Sequence, residues 1–537
     1  MIRLEAHNGR LSLRSVGESP LRFLGVAGAL GAEFDPVSRT HLIEWDQRER
    51  AAREAIGAGC ALDLGRGVGP ELQSTAGEVE ARTAALAARD LHLYPYQVEG
   101  AKWLEARQRA LLTDEMGLGK TVMVLAALPE SASAVVVCPA SAKAVWAAHI
   151  EGDRRGGTRA WRPELMATVL QGRRSFRWPG RGEVVILNYD ILPMLAADAE
   201  VPHGVILVAD EAHKLKGMHT ARTKMFRALS EAVLRREGRA WALTGTPLVN
   251  DNPDELCSVL RCVDLFIAAF GCKPRFDEEF YFRGYPRHPR QEALAGLRAV
   301  TMRRLRADVL TQLPPKRWEE HVVDLDTPAR DACNELLAVL QKAGLTLEQL
   351  AEDRQIAGAG MATEDDGPTQ QEQFGSVMGS LSRARRALAR CKAPAVVEFA
   401  QEMQEAGEPL VVFSAHRAPV EAFGRLEKWG TILGGVPAAQ RADLVSQFQG
   451  GHLHGLALTI RAGGEAITLT RAHQVAFVDL DWCPGSNSQA EDRLCRIGQK
   501  AEAVVIHRFI ADHEVDQRVT HALSRKQAMI SATIRPS

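Results

Sequence analysis

Leu111-Leu112-Thr113-Asp114-Glu115-Met116-Gly117-Leu118-Gly119-Lys120-Thr121-Val122-Met123-Val124-Leu125 is the stretch on which the reading of this chain turns. Leu111 and Leu112 end a short apolar run of strand character, and Thr121 to Leu128 has the composition of a buried helix. A glycine-rich turn between strand and helix points successive backbone N–H groups at one spot, where the helix dipole also favours an anion. Lys120 then reaches the outer phosphates of a nucleotide, and the Thr121 hydroxyl is suited to hold Mg2+. The strict form of the pattern has a glycine five residues before Gly119, where this chain carries Asp114. Alone, the loop leaves an ordinary strand–turn–helix corner open.

The bulk properties frame that reading. The 537 residues leave room for roughly three or four domain-sized units. Hydrophobic and charged fractions of 46% and 25% are those of an ordinary globular protein. No window approaches the run of about 20 apolar residues that spans a bilayer, so no membrane role is expected. Met1-Ile2-Arg3-Leu4-Glu5-Ala6-His7 lacks the apolar core of a secretory signal. Nine cysteines with no Cys-x-x-Cys pair fit neither a disulfide framework nor a zinc ribbon. Cys257 and Cys262 read as small buried apolar residues. A reducing cytoplasm is the expected location, on the nucleoid if the source is bacterial. Formal charge is −1, so nucleic-acid binding has to come from local basic surface. Ser382 to Lys392, with Arg383, Arg385, Arg386, Arg390 and Lys392 and no acid, offers one such surface or a solvated helix face. Arg303, Arg304 and Arg306 form a second cluster, and Arg173, Arg174, Arg177 and Arg181 a third.

From Leu91 onward, short apolar runs alternate with amphipathic stretches. Ala134 to Cys138, Val184 to Leu187, Val205 to Ala209 and Trp241 to Leu243 suit parallel strands buried on both faces. Glu99 to Gln108 and Ala221 to Leu234 suit the intervening helices, and the alternation predicts a doubly wound α/β sheet. It breaks over residues 265–300, and Ile356 to Gly375 reads as a mobile loop. It then restarts with Pro409 to Phe413, Leu456 to Thr459, Val475 to Val478 and Val504 to Ile506.

Asp210 and Glu211, in Val208-Ala209-Asp210-Glu211-Ala212-His213, stand where a buried strand emerges, the end at which ligands gather in such sheets. Asp210 can hold Mg2+ through water, and Glu211 can orient and deprotonate an attacking water. Thr244 and Thr246, in Leu243-Thr244-Gly245-Thr246-Pro247, suit a turn that senses phosphate and relays nucleotide state. In the second half, Gln489-Ala490-Glu491-Asp492-Arg493-Leu494-Cys495-Arg496-Ile497-Gly498-Gln499 sets Arg493 and Arg496 three apart, on one face of an expected helix. Guanidinium groups aimed at a γ-phosphate raise hydrolysis rates by about 10³–10⁵.

Together these motifs, spread over roughly residues 90–530, resemble the Swi/Snf-type ATPases of helicase superfamily two. In that family Asp114 to Thr121 (Asp114, Glu115, Met116, Gly117, Leu118, Gly119, Lys120, Thr121) is the usual form of the phosphate loop. Tyr94-Pro95-Tyr96-Gln97 is similar to the preceding adenine-reading motif, with Gln97 as base contact. Val137-Cys138-Pro139-Ala140-Ser141 and Leu187-Asn188-Tyr189-Asp190 resemble strand-contacting motifs, which implies DNA contacts at Ser141 and Asn188. Gln489 joins Thr244 and Thr246 as a coupling residue. Met302 to Leu310, ending in Leu313-Pro314-Pro315-Lys316, is similar to the family's inter-lobe connection, so its arginines are structural as much as DNA-binding. Finer resemblance is to the branch with HARP-type annealing helicases, on Ile467-Thr468-Leu469-Thr470, Trp482-Cys483-Pro484-Gly485 and Phe413-Ser414-Ala415-His416; Gly28 to Trp45 is faintly like the small module preceding motors of that branch. Ala466, Cys483 and Cys495 depart from the glycine, asparagine and histidine usual there, which bears on coupling more than on hydrolysis.

The resemblance implies an α/β fold of two RecA-like doubly wound parallel-sheet lobes with a small N-terminal module and helical insertions. The expected divisions are an accessory module at 1–88, lobe 1 at 89–312, a connector with a helical insertion and loop at 313–395, and lobe 2 at 396–537. It further implies ATP and Mg2+ as cofactors and duplex or branched DNA as partner. Lys120, Asp210, Glu211, Arg493 and Arg496 are then catalytic, with Thr121 and Asp210 on the metal. The expected activity is a DNA-stimulated ATPase that tracks or remodels DNA. A strand-separating helicase and a non-hydrolysing, nucleotide-switched scaffold are the alternatives.

Overall fold

Runs of Val, Ile and Leu without polar interruption bury both faces of a strand, and the chain has two sets of them. The computed structural model describes all residues except 8–9, 17–18, 39, 45–46, 59, 65–77, 154–157, 173–175, 196–199, 246–252, 283–284, 287–290, 311–312, 348–367, 464–466, 483, 497 and 534–537. Described residues up to Leu305 form one compact unit, and those from Arg306 onward form another. Among the described residues no helix is long and apolar enough to cross a membrane.

The first unit begins with a small sheet of β1 (Ile2–His7), β2 (Arg10–Ser15), β3 (Glu33–Asp35), β4 (Thr40–Ile43) and β5 (Leu62–Leu64), in the order β3-β4-β2-β1-β5. Ile2, Leu4, Leu11 and Leu13 alternate with polar residues and pack on Phe23, Val26, Ala51 and Ala55 from two helices, Pro20–Ala29 and Arg48–Gly57. The second of these helices ties the module to the larger sheet. Arg48 Nε donates to Asp264 at 2.5 Å and its other arm to Glu231 at 3.0 Å, while Arg109 Nε reaches the second oxygen of Asp264 at 3.2 Å.

The larger sheet holds β6 (Arg109–Leu112), β7 (Ser133–Cys138), β8 (Met166–Val169), β9 (Glu183–Asn188), β10 (Ile206–Asp210) and β11 (Arg239–Leu243). After a short hairpin of β12 (Tyr281–Phe282) and β13 (Tyr285–Pro286), β14 (Thr301–Met302) closes it in the order β14-β6-β11-β10-β7-β9-β8, every pairing parallel. The aperiodic stretch after residue 265 is three short helices, Phe266–Phe270, Lys273–Phe280 and Gln291–Val300; in the first two, Phe276 stacks on Phe280, and Phe266 and Phe270 meet Phe276 tilted and edge-on. Cys257 and Cys262 are buried, and burial pushes both thiols up to about 12.

The second unit is another parallel sheet, of β15 (Lys316–Val323), β16 (Leu410–Ser414), β17 (Trp429–Ile432), β18 (Gly455–Thr459), β19 (Gln474–Phe477) and β20 (Val504–Ala511), ordered β15-β20-β19-β16-β18-β17. Its core is Val411, Phe413, Leu456, Leu458, Val475, Phe477 and Ile506. Lys316-Arg317-Trp318-Glu319-Glu320-His321-Val322-Val323, within the stretch read as a connector, is the charged edge strand β15 of this sheet. Helix Thr327–Ala343 packs Cys333, Leu336 and Leu340 on Val377, Leu381, Ala384 and Leu388 of the long helix Pro368–Glu405. That helix takes in the last residues of the stretch read as a loop, whose earlier part, Ile356 to residue 367, lies outside the described residues.

Asp264→Ala takes a shared carboxylate from two buried guanidiniums. It is expected to lower stability by about 3–5 kcal/mol, read as a fall in urea midpoint without change in slope.

Candidate nucleotide site

The register of the first sheet sets the site. Leu243 pairs with Leu112 on one side and with Asp210 on the other, so the carboxyl ends of β6, β11 and β10 lie side by side. The phosphate loop leaves β6, Thr244 leaves β11 and Asp210 ends β10. The motifs on these three strands therefore meet at one edge, as a doubly wound sheet places its ligands.

Gly117 and Gly119 take φ of +83° and +78°, a region that side-chain-bearing residues avoid. Gly119 has a second reason to be glycine: a Cβ there stands 2.4 Å from Gln97 Nε2. Gln97 itself is buried, accepting from the Tyr94 N–H at 3.0 Å and donating to the Leu118 carbonyl at 3.1 Å. Its amide thus braces the loop from the side of the Tyr94-Pro95-Tyr96-Gln97 motif. Met116 is enclosed as well, against Gly245, where a Cβ meets Met116 Cγ at 2.3 Å. Leu118 is fully buried, and Glu115 pairs its N–H with the Arg304 carbonyl at 2.9 Å.

Asp114 also differs from the expected loop contact. Its carboxylate is 0% exposed and accepts from the Arg304 N–H at 2.9 Å, from Arg304 Nε at 3.1 Å and from the guanidinium arm at 2.5 Å. An anion so occupied, at the mouth of an anion site, serves as an anchor and touches no phosphate. Arg304 passes over Gly100, whose Cβ would lie 2.6 Å from its guanidinium, and also donates to the Tyr96 carbonyl. Arg303 donates to the Thr113 carbonyl at 2.9 Å. These two arginines are structural, as is Arg306 in the second unit.

Lys120 opens helix Lys120–Ala127, and its ammonium donates to the carbonyls of Asp114 at 2.8 Å and Glu115 at 3.3 Å. Burial lowers its pKa against the pull of Glu211, Asp114 and Asp210. The cation is therefore held on the concave side of the loop. Thr121, half-buried, follows at the first turn. Asp210 accepts from Trp146 Nε1 at 2.8 Å and from the Glu211 N–H at 3.0 Å, and its carbonyl accepts from the Tyr189 hydroxyl at 2.7 Å. Burial and then the Glu211 charge raise the Asp210 carboxyl to about 6, so it is mostly ionised at neutral pH. Glu211 sits at φ +52°, a strained conformation for a glutamate, and approaches His213 Nδ1 at 3.3 Å. His213 in turn lies 3.4 Å from the Thr244 hydroxyl. This Glu211–His213–Thr244 chain joins two strand ends. Thr246 lies outside the described residues.

In the second unit Arg493 and Arg496 are not on a helix. Helix Pro484–Glu491 ends first, and the Arg493 and Leu494 N–H groups turn back to the carbonyls of Ala490 and Glu491. The break follows from the two acids before them. Asp492 binds Arg306 at 2.5 Å and Lys316 at 2.8 Å, and Glu491 binds Lys316 at 2.9 Å and Arg508 at 3.3 Å. Against the penalty of burial, these cations hold the Asp492 carboxyl at about 2. Arg493 is 2% exposed and donates to the Ile467 carbonyl at 3.4 Å, while Arg496 reaches the Thr468 hydroxyl at 3.1 Å. Gln489 is half-buried on the preceding helix. Cys495 is buried, its carbonyl accepting from Arg306; Ala466 and Cys483 lie outside the described residues. Asp479, which the sequence reading passed over, collects Ser414 at 2.5 Å and His416 at 2.7 Å.

The basic run divides. Arg383, Arg386 and Arg390 are exposed, Arg383 pairing with Glu335. Arg385 is turned inward to the Leu480 carbonyl at 2.5 Å and lies 5.4 Å over Trp482. Lys392 is buried on Asp516 at 2.8 Å, which removes it as a phosphate contact. Asn188 is only 8% exposed and turns its amide to Asp190 at 3.3 Å, so it too is withdrawn, while Ser141 is half-buried in the turn Ala140–Ala142 after β7. His213, Trp146, Tyr189 and Arg304 were missed as site residues; only His213 carried a local signal, directly after the acid pair.

The SNF2-related domain matches residues 96–391, and the helicase conserved C-terminal domain matches 392–498. The first match runs past Leu305 into the second unit. The Homo sapiens protein described as DNA annealing helicase and endonuclease ZRANB3 is 28% identical over 475 residues, 82% of this chain and 40% of its own length. The Bos taurus SWI/SNF-related matrix-associated actin-dependent regulator of chromatin subfamily A-like protein 1 is 28% identical over 466 residues, 81% of this chain and 44% of its own. The chain thus spans less than half the length of these relatives. A solved Sulfolobus solfataricus SWI2/SNF2 ATPase core in complex with dsDNA aligns with 82% of the chain and 93% of its own, at 21% identity and a TM-score of 0.37.

Gly119→Ala forces a methyl into Gln97 at positive φ. Nucleotide affinity, measured with a fluorescent ATP analogue, is expected to fall by more than about tenfold, whereas Gly434→Ala, in open space, leaves it unchanged.

Proposed function

The chain belongs to the SNF2-related family, and on that premise we propose that it is a DNA-dependent ATPase that couples Mg-ATP hydrolysis to movement along, or remodelling of, duplex or branched DNA. The observation that carries this reading is the meeting of Lys120, Asp210, Glu211 and Thr244 at three neighbouring strand ends.

The residues fit a nucleotide. The loop turns through two left-handed glycines into the N-terminus of helix Lys120–Ala127, and the half-buried Lys120 ammonium is held by two carbonyls that phosphate oxygens can replace. Thr121 and Asp210 would hold Mg2+, which when bound neutralises phosphate charge. Glu211 takes the proton of the attacking water as the terminal phosphoryl group passes from the β-phosphate oxygen to that water. His213 Nδ1 lies within reach of both the Glu211 carboxylate and the Thr244 hydroxyl, so a change of partner at that one nitrogen is the proposed link between the carboxylate and the coupling residues Thr244 and Thr246. Arg493 and Arg496 are the guanidiniums proposed for the spreading phosphoryl charge, and Gln489 is the proposed coupling residue beside them.

DNA as the substrate is supported by the relatives, one of which is described as a DNA annealing helicase. Ser141, Arg383, Arg386 and Arg390 are the proposed phosphate contacts, and the protein acts in whichever compartment holds the DNA. ATPase assays with single-stranded, duplex and forked DNA test the reading. Turnover is expected to rise with duplex or forked DNA, and Glu211→Gln is expected to bind ATP normally while losing at least about 10²-fold in turnover. Turnover retained by Glu211→Gln overturns the proposal.

A further inference from the structure

The edge of the second sheet carries a cluster that the nucleotide chemistry does not use. On β15, Glu319 and His321 are two apart and share a face; Glu319 is directly paired with His507 on β20. His321 Nε2 lies 3.0 Å from His507 Nδ1, Glu319 Oε2 lies 3.4 Å from the same nitrogen, and the three ligand atoms are all within 4.8 Å of one another.

We propose that Glu319, His321 and His507 bind a zinc-like divalent transition metal, which staples the edge strand β15 to β20. Two ligands at the usual zinc bond lengths in a tetrahedral site are about 3.3 Å apart, close to the 3.0 and 3.4 Å that separate His507 Nδ1 from the other two ligand atoms. Two imidazoles and a carboxylate are a zinc donor set, and a water fills the fourth position.

The surroundings support the assignment from three sides. His507 Nε2 lies 2.8 Å from the Gln474 amide oxygen. That oxygen can only accept, so the ring proton sits on Nε2 and the Nδ1 lone pair faces His321 and Glu319, as the outer partner of a metal-bound histidine dictates. The His321 ring is also fixed, stacked on Phe509 at 4.7 Å and tilted against Phe399 at 5.3 Å. Glu319 is 56% exposed and opens the site to solvent, whereas His507 is 6% exposed.

The test uses the full chain stripped with chelator and titrated with Zn2+ against a chromophoric competitor, alongside Co2+ absorption and thermal unfolding. The expected result is one zinc per chain, an intense tetrahedral Co2+ spectrum and a raised Tm. His321→Ala is expected to lose all three while keeping its circular dichroism spectrum, and Gln474→Ala, which leaves the ligands in place, to bind about 10–100-fold more weakly. Binding below one equivalent, or zinc retained by His321→Ala, overturns the proposal; the latter places the metal at other histidines or at the cysteines.

Discussion

A buried ion pair between Asp114 and Arg304 is the constraint on which the nucleotide site depends. Burying a carboxylate and a guanidinium is unfavourable unless nearly every donor and acceptor is matched. Here Arg304 satisfies both carboxylate oxygens, and its own backbone N–H adds a third bond. The Thr113 and Glu115 N–H groups bind the carbonyls of Met302 and Arg304, so the loop's first residues run as an extension of the sheet. With that entry fixed, the carbonyls of Asp114 and Glu115 face Lys120, and the two left-handed glycines carry the chain round to the helix. The residue that departs from the strict phosphate-loop pattern is the one that locks the loop in place.

The second unit repeats the device. Glu491 and Asp492 are drawn into Arg306, Lys316 and Arg508, and the same pull that ends the helix sets the turn bearing Arg493 and Arg496. Arg304 and Arg306 are two residues apart in sequence, yet each is the anchor beside the working loop of its own unit. One short segment therefore carries both clamps, and the arginine cluster is a structural element in place of a DNA surface.

Much of the fold was legible because buried parallel strands leave continuous apolar runs. Ala134 to Cys138, Val184 to Leu187 and Ala221 to Leu234 fall where composition placed them. The edge strand β15 was not legible, since six of its eight residues are charged, aromatic or imidazole and most face solvent. Of the site, the residues that carry chemistry were legible from spacing around glycine and paired acids. The residues that hold them in place were not. Trp146, Tyr189 and Arg304 reach the site only through tertiary contacts, and a buried arginine reads in sequence like an exposed one. For the same reason Lys392 and Arg385 passed as surface charge, and Arg493 passed as a helical residue.

The most direct test is a double-mutant cycle on ATP affinity with Asp114→Asn, Arg304→Gln and the pair together. If the ion pair sets the loop, each single change weakens binding by at least about tenfold and the double is no worse than either single, because the two residues act as one unit. Full affinity in single variants that remain folded contradicts the account.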